Sequence, residues 1–209
     1  MSQASGRTNE QLQESYDKYA EQRDQSRMEP WKFEERQHYL QALLEEDRND
    51  ILELGAGTGR DGLYFQENRF EVVCVDQSAE MVRLCKEKGL DARQMDIREM
   101  KFEDGQFDSV YAMNSLLHIP KEEIGGVLAQ VHRVLRPGGL FFYGVYGGES
   151  SEGIWEGDSY EPKRFFAMYT DEELQSLAQP LFAVEEFHTV AMGEGKPHFQ
   201  SLLLRKSGE

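Results

Sequence analysis

The sequence predicts an α/β protein built on a doubly wound, mostly parallel sheet with helices on both faces. Three observations support this prediction: apolar runs alternate with amphipathic segments from residue 50 onward, the runs are nearly apolar throughout, and a glycine-rich turn follows the first run. Strands of this kind are typical of parallel sheets that helices cover on both sides. A length of 209 residues favours a single domain.

Seven segments are predicted as strands. Five of them precede residue 147, the weaker one at 91–96 and the others at 50–54, 71–76, 107–114 and 140–146. The last two, 183–190 and 199–205, are joined by a short turn-rich segment. Their proximity favours an antiparallel hairpin over a helical crossover. The sheet is therefore expected to end in a C-terminal antiparallel hairpin.

The helices are predicted from apolar periodicity and from capping signals. In the segment 121–135 one face is apolar, and Pro137 follows it in a turn with two glycines. Thr170 and Glu173 have the spacing of a capping box. Ahead of residue 48, Pro30 suits the start of a helix. Two apolar stripes predict two helices there, one from Leu12, Tyr16, Tyr19 and Ala20 and one from Phe33, Leu40, Leu43 and Leu44.

Composition bears mainly on partners and compartment. A formal charge of -16 disfavours nucleic acid and anionic membrane surfaces as partners. The first residues lack the apolar core of a signal peptide, and no apolar run approaches the length of a membrane span, so a cytoplasmic protein is expected. Cys74 and Cys85 are expected to be reduced thiols, without a disulfide or a metal site.

The stretch "ILELGAGTGRDG", residues 51–62, combines a strand, a tight glycine turn and the start of a helix. This combination predicts a nucleotide-binding loop at the carboxyl end of the strand. Arg60 stands where a dinucleotide fingerprint has its third glycine, and Asp76 ends the next strand, where a carboxylate can accept from ribose hydroxyls. Glu53 would repel a pyrophosphate but attract an ammonium group. The loop therefore suits a nucleoside that carries an amino acid.

Five stretches in this order resemble the class I S-adenosylmethionine-dependent methyltransferases of the small, single-domain kind. They are "ILELGAGTGRDG", "VVCVDQSAEMV", "DARQMDIREM", "FDSVYAMNSLLHIP" and "VLAQVHRVLRPGGLFFYGV", and the match is densest from Ile51 to Gly148. The resemblance implies a Rossmann-like fold and S-adenosylmethionine as cofactor, converted to S-adenosylhomocysteine. It also implies methyl transfer by in-line displacement to an oxygen or nitrogen atom of a small molecule.

The resemblance assigns cofactor contacts to matching positions. They are Tyr19, Glu53, Gly55, Ala56, Gly57, Gly59, Asp76, Gln77, Asp96, Ile97, Asn114 and Ser115. Glu53 would anchor the methionyl ammonium, Asp76 the ribose hydroxyls and Asp96 the adenine amino group. Asn114 and Ser115 would border the sulfonium. Tyr19 would close over the cofactor's carboxylate, or else belong to the helix core, and the family often has a second aromatic where this chain has Arg23.

Four parts follow from this assignment: an N-terminal helical lid (1–47), a cofactor-binding core (48–146), a substrate-side insertion (147–169), and a helix with the closing hairpin (170–209). His118 is the candidate general base, with packing around the cofactor as the alternative. Substrate contacts are proposed for Tyr146, Trp155, Tyr160 and Tyr169. The first fifteen residues of the insertion carry five acids and no base, which fits a solvated loop or a lid that favours a cationic or amine acceptor.

Two other functions stay open from the sequence. One is a nicotinamide-dependent oxidoreductase, and the other is a cofactor-binding module without transfer activity. The segment "MNSLL" differs from the Asn/Asp-Pro-Pro-Tyr element of base and glutamine N-methyltransferases, which disfavours that group. The sequence predicts no metal, and it leaves the choice between monomer and dimer open.

Overall fold

The computed structural model describes residues 3–207. Within this range the chain forms six α-helices and nine strands. The helices are α1 (Gln3–Gln25), α2 (Pro30–Glu45), α3 (Arg60–Glu67), α4 (Ala79–Glu87), α5 (Ile124–Val134) and α6 (Asp171–Ala178). The strands are β1 (Asp50–Leu54), β2 (Glu71–Asp76), β3 (Asp91–Gln94), β4 (Phe107–Met113), β5 (Leu135–Gly147), β6 (Ser151–Ile154), β7 (Phe165–Met168), β8 (Phe182–Val190) and β9 (His198–Lys206).

Seven strands form one sheet in the order β3-β2-β1-β4-β5-β9-β8. The first five run parallel, and β9 pairs antiparallel with both β5 and β8. The prediction of a mostly parallel sheet with a C-terminal antiparallel hairpin is confirmed. The strand order reverses between β1 and β4, where the chain leaves the sheet in opposite directions. Such a switch point opens a crevice at the carboxyl ends of the strands.

The two faces of the sheet carry separate apolar layers. Along β5, Phe141 and Tyr143 pack with α5 and α6 on one face, whereas Leu140 and Phe142 pack with α2 and α3 on the other. This alternation follows from the two-residue period of a strand. The ring of Phe142 stacks on Tyr111 of β4 at 4.8 Å between centroids. The central strands are thus buried on both sides, as their apolar composition predicted.

Helix α2 buries only part of the predicted stripe: Leu40 and Leu43 belong to the core. Phe33 and Leu44 are 47% and 55% exposed, so these two residues do not belong to the core. The buried face also includes Glu35, Arg36 and Tyr39. Glu35 accepts hydrogen bonds from His188 at 2.8 Å and Ser201 at 2.7 Å, and Arg36 pairs with Asp61 at 3.0 Å. Polar partners on other elements therefore override the hydrophobic pattern of this helix.

The segment 147–169 contains a two-stranded antiparallel hairpin, β6–β7, which the sequence did not predict. Asp158 lies buried in the loop between these strands, where it forms a bidentate ion pair with Arg164 at 2.8 Å for both bonds. The predicted capping box of α6 is confirmed, since Thr170 and Glu173 exchange hydrogen bonds of 3.0 and 3.2 Å. None of the described helices is long and apolar enough to cross a membrane.

Candidate active site

A cavity of about 240 Å³ lies at the carboxyl ends of β1, β2 and β4, beneath helix α1. The sheet side of its lining includes Glu53, Gly55, Ala56, Gly57, Asp76, Gln77, Asp96, Ile97, Asn114, Ser115 and His118. Helix α1 contributes Asn9, Leu12, Tyr16 and Arg23. The structure therefore brings together most of the residues to which the resemblance assigns cofactor contacts.

Two positions of the loop after β1 require glycine for different structural reasons. Gly55 has a φ of +67°, and a Cβ on it would lie 2.4 Å from the Cβ of Ser115. Gly57 has a φ of +55°, but a Cβ there would meet no protein atom within 4 Å. Gly55 thus allows the ends of β1 and β4 to approach each other, whereas Gly57 leaves room over the cavity. Both need the left-handed conformation that glycine adopts without steric cost.

Asp76 is held at the end of β2 by the backbone around it. Its Oδ2 accepts from the amide of Gly57 and its Oδ1 from the amide of Ser78, both at 2.9 Å. The residue is only 9% exposed, and burial raises its pKa to about 6 despite these hydrogen bonds. Each carboxylate oxygen keeps a further acceptor site. Asp76 can therefore accept from two neighbouring hydroxyl groups.

Glu53 is a buried acid that forms no ion pair with a basic side chain in the described part of the chain. It is 3% exposed, and the thiol of Cys74 donates to its Oε2 at 3.2 Å. Burial is the main cause that holds the pKa of Glu53 well above its usual range, and the nearby charge of Asp61 adds to it. A cationic group in the cavity would offset both effects. The environment of Glu53 therefore fits an ammonium ligand.

Asp96 stays ionised because Arg98 surrounds it. The guanidinium of Arg98 donates to both carboxylate oxygens at 2.9 and 2.5 Å, and its backbone amide donates at 2.9 Å. Burial alone would raise the pKa of Asp96, but these hydrogen bonds outweigh burial and hold the pKa below its usual value. Ile97 follows directly, at the start of a short 3-10 helix, and also lines the cavity.

The carboxyl end of β4 carries unsatisfied polar atoms. Asn114 has a φ of +54°, which is uncommon for a residue with a side chain. Its Oδ1 and the Oγ of Ser115 are buried and have no hydrogen-bond partner in the described part of the chain. Buried polar atoms are nearly always paired, so orphaned atoms beside a cavity indicate a ligand. Backbone strain at the same point is typical of functional sites.

His118 is bonded through both ring nitrogens. Nδ1 lies 2.7 Å from the carbonyl oxygen of Phe165, and Nε2 lies 2.6 Å from the hydroxyl of Tyr16. Because a carbonyl only accepts, Nδ1 must carry the hydrogen and Nε2 must accept from Tyr16. Burial lowers the pKa of His118 to about 3, with the charge of Arg164 contributing. The imidazole is therefore neutral, and its Nε2 already accepts a hydrogen bond from the hydroxyl of Tyr16.

Two basic side chains hold helix α1 over the cavity, Arg60 at the start of α3 and Lys88 just after α4. The guanidinium of Arg60 donates to the carbonyl oxygens of Arg23, Asp24 and Ser26 at 2.6, 2.5 and 2.6 Å. Lys88 bonds the carboxylate of Asp24 at 2.8 Å. These bonds satisfy carbonyl groups at the helix end that lack an intrahelical partner. Arg60, which replaces a glycine of the dinucleotide pattern, thus holds the lid.

Several predicted residues lie away from the cavity lining. Tyr19 stacks on Tyr160 at 4.3 Å between centroids, and neither ring lines the cavity. The same holds for Tyr146, Trp155 and Tyr169. Gly59 packs against α4 and the turn after it, where a Cβ would lie 2.8 Å from Cys85 and 2.6 Å from Leu90.

Sequence reasoning had placed Tyr16 in the apolar stripe and had not assigned it to the site. Both Leu12 and Ala20 are buried, at four residues on either side of Tyr16. That spacing puts the three side chains on one face of α1. From this spacing, the sequence could have predicted that Tyr16, rather than Tyr19, faces the cavity.

Part of the chain is similar to known methyltransferases. Residues 51–139 match a family model described as a methyltransferase domain. YqeM of Bacillus subtilis strain 168, named as a methyltransferase, is 33% identical over 115 residues, which are 52% of this chain and 46% of YqeM. A sterol 24-C-methyltransferase of Saccharomyces cerevisiae strain S288c is 30% identical over 117 residues, which are 50% of this chain and 30% of that protein.

A solved structure resembles the chain over most of its length. It is the crystal structure of a 1,6-didemethyltoxoflavin-N1-methyltransferase from Burkholderia thailandensis with bound 1,6-didemethyltoxoflavin and S-adenosylhomocysteine. Its TM-score is 0.71 at 23% identity, and the match covers 94% of this chain and 87% of that one. This likeness confirms the fold. The chain spans less than half the length of the two curated relatives.

Proposed function

We propose that this chain, whose residues 51–139 match a methyltransferase domain, transfers a methyl group from S-adenosylmethionine to an oxygen or nitrogen atom of a small molecule. The observation that carries the proposal is the row of three acids along one cavity: Glu53 in β1, Asp76 at the end of β2, and Asp96 after β3. When bound, S-adenosylmethionine supplies a methyl group on a positively charged sulfur, which an acceptor displaces in line to leave S-adenosylhomocysteine.

The residues that line the cavity fit each part of this cofactor. Glu53 would hold the ammonium group, because a cation relieves the cost of ionising a buried acid. Asp76 would accept from the two ribose hydroxyls with the acceptor sites that its backbone bonds leave free. Asp96 would accept from the adenine amino group. The orphaned atoms of Asn114 and Ser115 would lie beside the sulfur end.

Tyr16 is the protic group that we place next to the acceptor. It donates its hydrogen to His118, and its oxygen accepts from Arg164 at 3.3 Å. The lid helix and these two bonds fix the direction of the hydroxyl. Positioning of this kind can supply a large part of the acceleration in a displacement reaction. Since His118 is neutral and already accepts from Tyr16, the geometry favours its alternative role, to hold neighbouring groups in place.

The other candidate functions find less support at this site. The buried Glu53 offers a pyrophosphate no positive charge and would repel it when ionised, which disfavours a nicotinamide cofactor. Carbon is the other acceptor atom to test, since one relative is named a sterol 24-C-methyltransferase. A net charge of -16 supports a small molecule over a nucleic acid as the acceptor.

Calorimetric titration with S-adenosylhomocysteine, followed by turnover assays with methyl-labelled cofactor, tests the proposal. We expect saturable one-site binding and label transfer to members of a panel of oxygen, nitrogen and carbon acceptors. Binding of NADH without binding of S-adenosylhomocysteine would support the oxidoreductase instead. Tight binding of S-adenosylhomocysteine with no transfer across the panel would support the non-catalytic module.

A further inference from the structure

Arg23 is a basic residue of the cavity lining with no acidic partner. Its guanidinium donates to the hydroxyl of Tyr160 at 3.2 Å and lies 5.3 Å from the ring centre of Tyr16. Among the described residues, no carboxylate oxygen comes within 4 Å of it. By contrast, Lys32 pairs with Glu29 at 3.2 Å. A half-buried guanidinium without an acidic partner would be stabilised by an anionic ligand at this point.

The acidic segment 147–161 does not supply that counter-charge. Asp158 is bonded by Arg164, and Glu156 pairs with Lys163 at 2.8 Å. Glu152 accepts from the backbone amide of Lys121 at 2.9 Å. None of the five acids in this segment lines the cavity. The arrangement therefore does not favour the cationic acceptor that the sequence suggested, and the unpaired charge on this side of the cavity is positive.

Two other basic residues of the cavity lining, Lys32 and Arg60, are candidates for the amino-acid end of the cofactor. Burial raises the pKa of Asp61, and the charge of Arg36 opposes that rise most, followed by those of Lys32 and Arg60. Lys32, Arg60 and Asp61 line the same cavity as Glu53, the proposed ammonium site. The carboxylate of the cofactor sits on the same carbon as its ammonium group. Lys32 or Arg60 would therefore hold it.

The guanidinium of Arg23 faces the part of the cavity that contains His118, because its neighbour Tyr16 bonds Nε2 of His118 at 2.6 Å. Its direct contacts are Tyr16 and Tyr160. We infer that the methyl acceptor carries a carboxylate or a comparable oxyanion, which Arg23 binds next to the hydroxyl of Tyr16. This inference rests on the proposed function, because it names the class of acceptor.

Binding of small acids to the protein saturated with S-adenosylhomocysteine tests the inference. The probes are acetate and benzoate, each compared with its neutral amide, acetamide and benzamide, by calorimetry at fixed pH and ionic strength. We expect each acid to bind at least about tenfold more tightly than its amide, the usual size of a charge-assisted hydrogen bond. Arg23→Gln should abolish this preference, and Arg23→Lys should keep part of it. S-adenosylhomocysteine affinity should change less than about threefold in either variant.

The matched control is Arg93→Gln, which removes the same charge from an exposed residue that pairs with Asp91 at 2.7 Å. It should leave both the acid preference and cofactor binding unchanged. Equal binding of acids and amides in the unmodified protein would overturn the inference. So would a tenfold loss of S-adenosylhomocysteine affinity in Arg23→Gln with the acid preference intact, since Arg23 would then hold the cofactor's carboxylate. Failure of the unmodified protein to bind S-adenosylhomocysteine would instead contradict the proposed function.

Discussion

Replacing Asp76 by asparagine should change the pH dependence of stability and should weaken cofactor binding. Burial raises the pKa of Asp76 from 3.8 to about 6 in the folded protein. At about 1.36 kcal/mol per pKa unit, this rise corresponds to about 3 kcal/mol. Because the folded protein binds the proton more tightly than the unfolded chain, the free energy of unfolding falls as pH rises from about 4 to 6. An asparagine cannot ionise and does not carry this cost.

The expected result is a difference between two pH values. The free energy of unfolding of Asp76→Asn, relative to the unmodified protein, should rise by about 2 kcal/mol between pH 4.5 and pH 7.5. A constant loss of about 1–3 kcal/mol is superimposed, because the amide NH₂ would face one of the backbone donors, Gly57 or Ser78. Urea unfolding at both pH values, without cofactor, separates the two contributions.

Cofactor binding provides the second measurement. The affinity of the unmodified protein for S-adenosylhomocysteine should increase as pH rises through about 6, since the ribose hydroxyls bind the ionised carboxylate. Asp76→Asn should bind about 30-fold more weakly at pH 7.5, about 2 kcal/mol, and should lose the contribution of Asp76 to this pH dependence. The control is Asp104→Asn, whose side chain is 82% exposed and pairs with Arg133. Unchanged affinity in Asp76→Asn would refute the role of Asp76 in binding the ribose.

Gly55→Ala should reduce the free energy of unfolding by about 3 kcal/mol, because a methyl group would lie 2.4 Å from a side chain at the end of β4 in addition to the strain of a positive φ. Gly57→Ala carries only the strain, so chemical unfolding should show a loss of about 1–2 kcal/mol while S-adenosylhomocysteine binds more weakly; equal losses in the two variants would contradict this. Tyr16→Phe should keep cofactor affinity but lower kcat with protic acceptors about 10- to 100-fold, and unchanged steady-state turnover would exclude a role next to the acceptor. Arg60→Gln should weaken the attachment of α1 by about 2 kcal/mol and speed proteolysis near Asp24, whereas an unaltered cleavage rate would show that the lid is held elsewhere.

Local patterns in the sequence predicted the sheet and the loop after β1 well. The apolar runs at 50–54 and 71–76 became β1 and β2 with the same bounds, and the hairpin at the C terminus formed as expected. The capping box of α6 depends only on residues three positions apart, which explains why it could be recognised. These features depend on neighbours along the chain, so periodicity and residue type are sufficient to predict them.

Contacts between distant segments were harder to predict. Tyr16 reaches His118 across 102 positions of the chain, and its neighbour Tyr19 turns to Tyr160 instead. Two tyrosines three residues apart look alike in the sequence, and only the docking of α1 decides which one faces the cavity. The acids of the segment 147–169 likewise suggested a negative lid, but ion pairs with Arg164 and Lys163 neutralise two of them.

The sequence by itself determined the alternation of strands and helices, the glycine turn and the three acids at strand ends. The carboxyl ends of parallel strands lie at one edge of the sheet, whatever the course of the connecting segments. The tertiary structure alone decided which charges remain unpaired in the cavity. Arg23 and Arg164 are both arginines near the same tyrosines, yet the fold places Asp158 against Arg164 and leaves Arg23 facing the cavity. Net charge at a point depends on distances between segments far apart in the chain, and those distances exist only once the chain has folded.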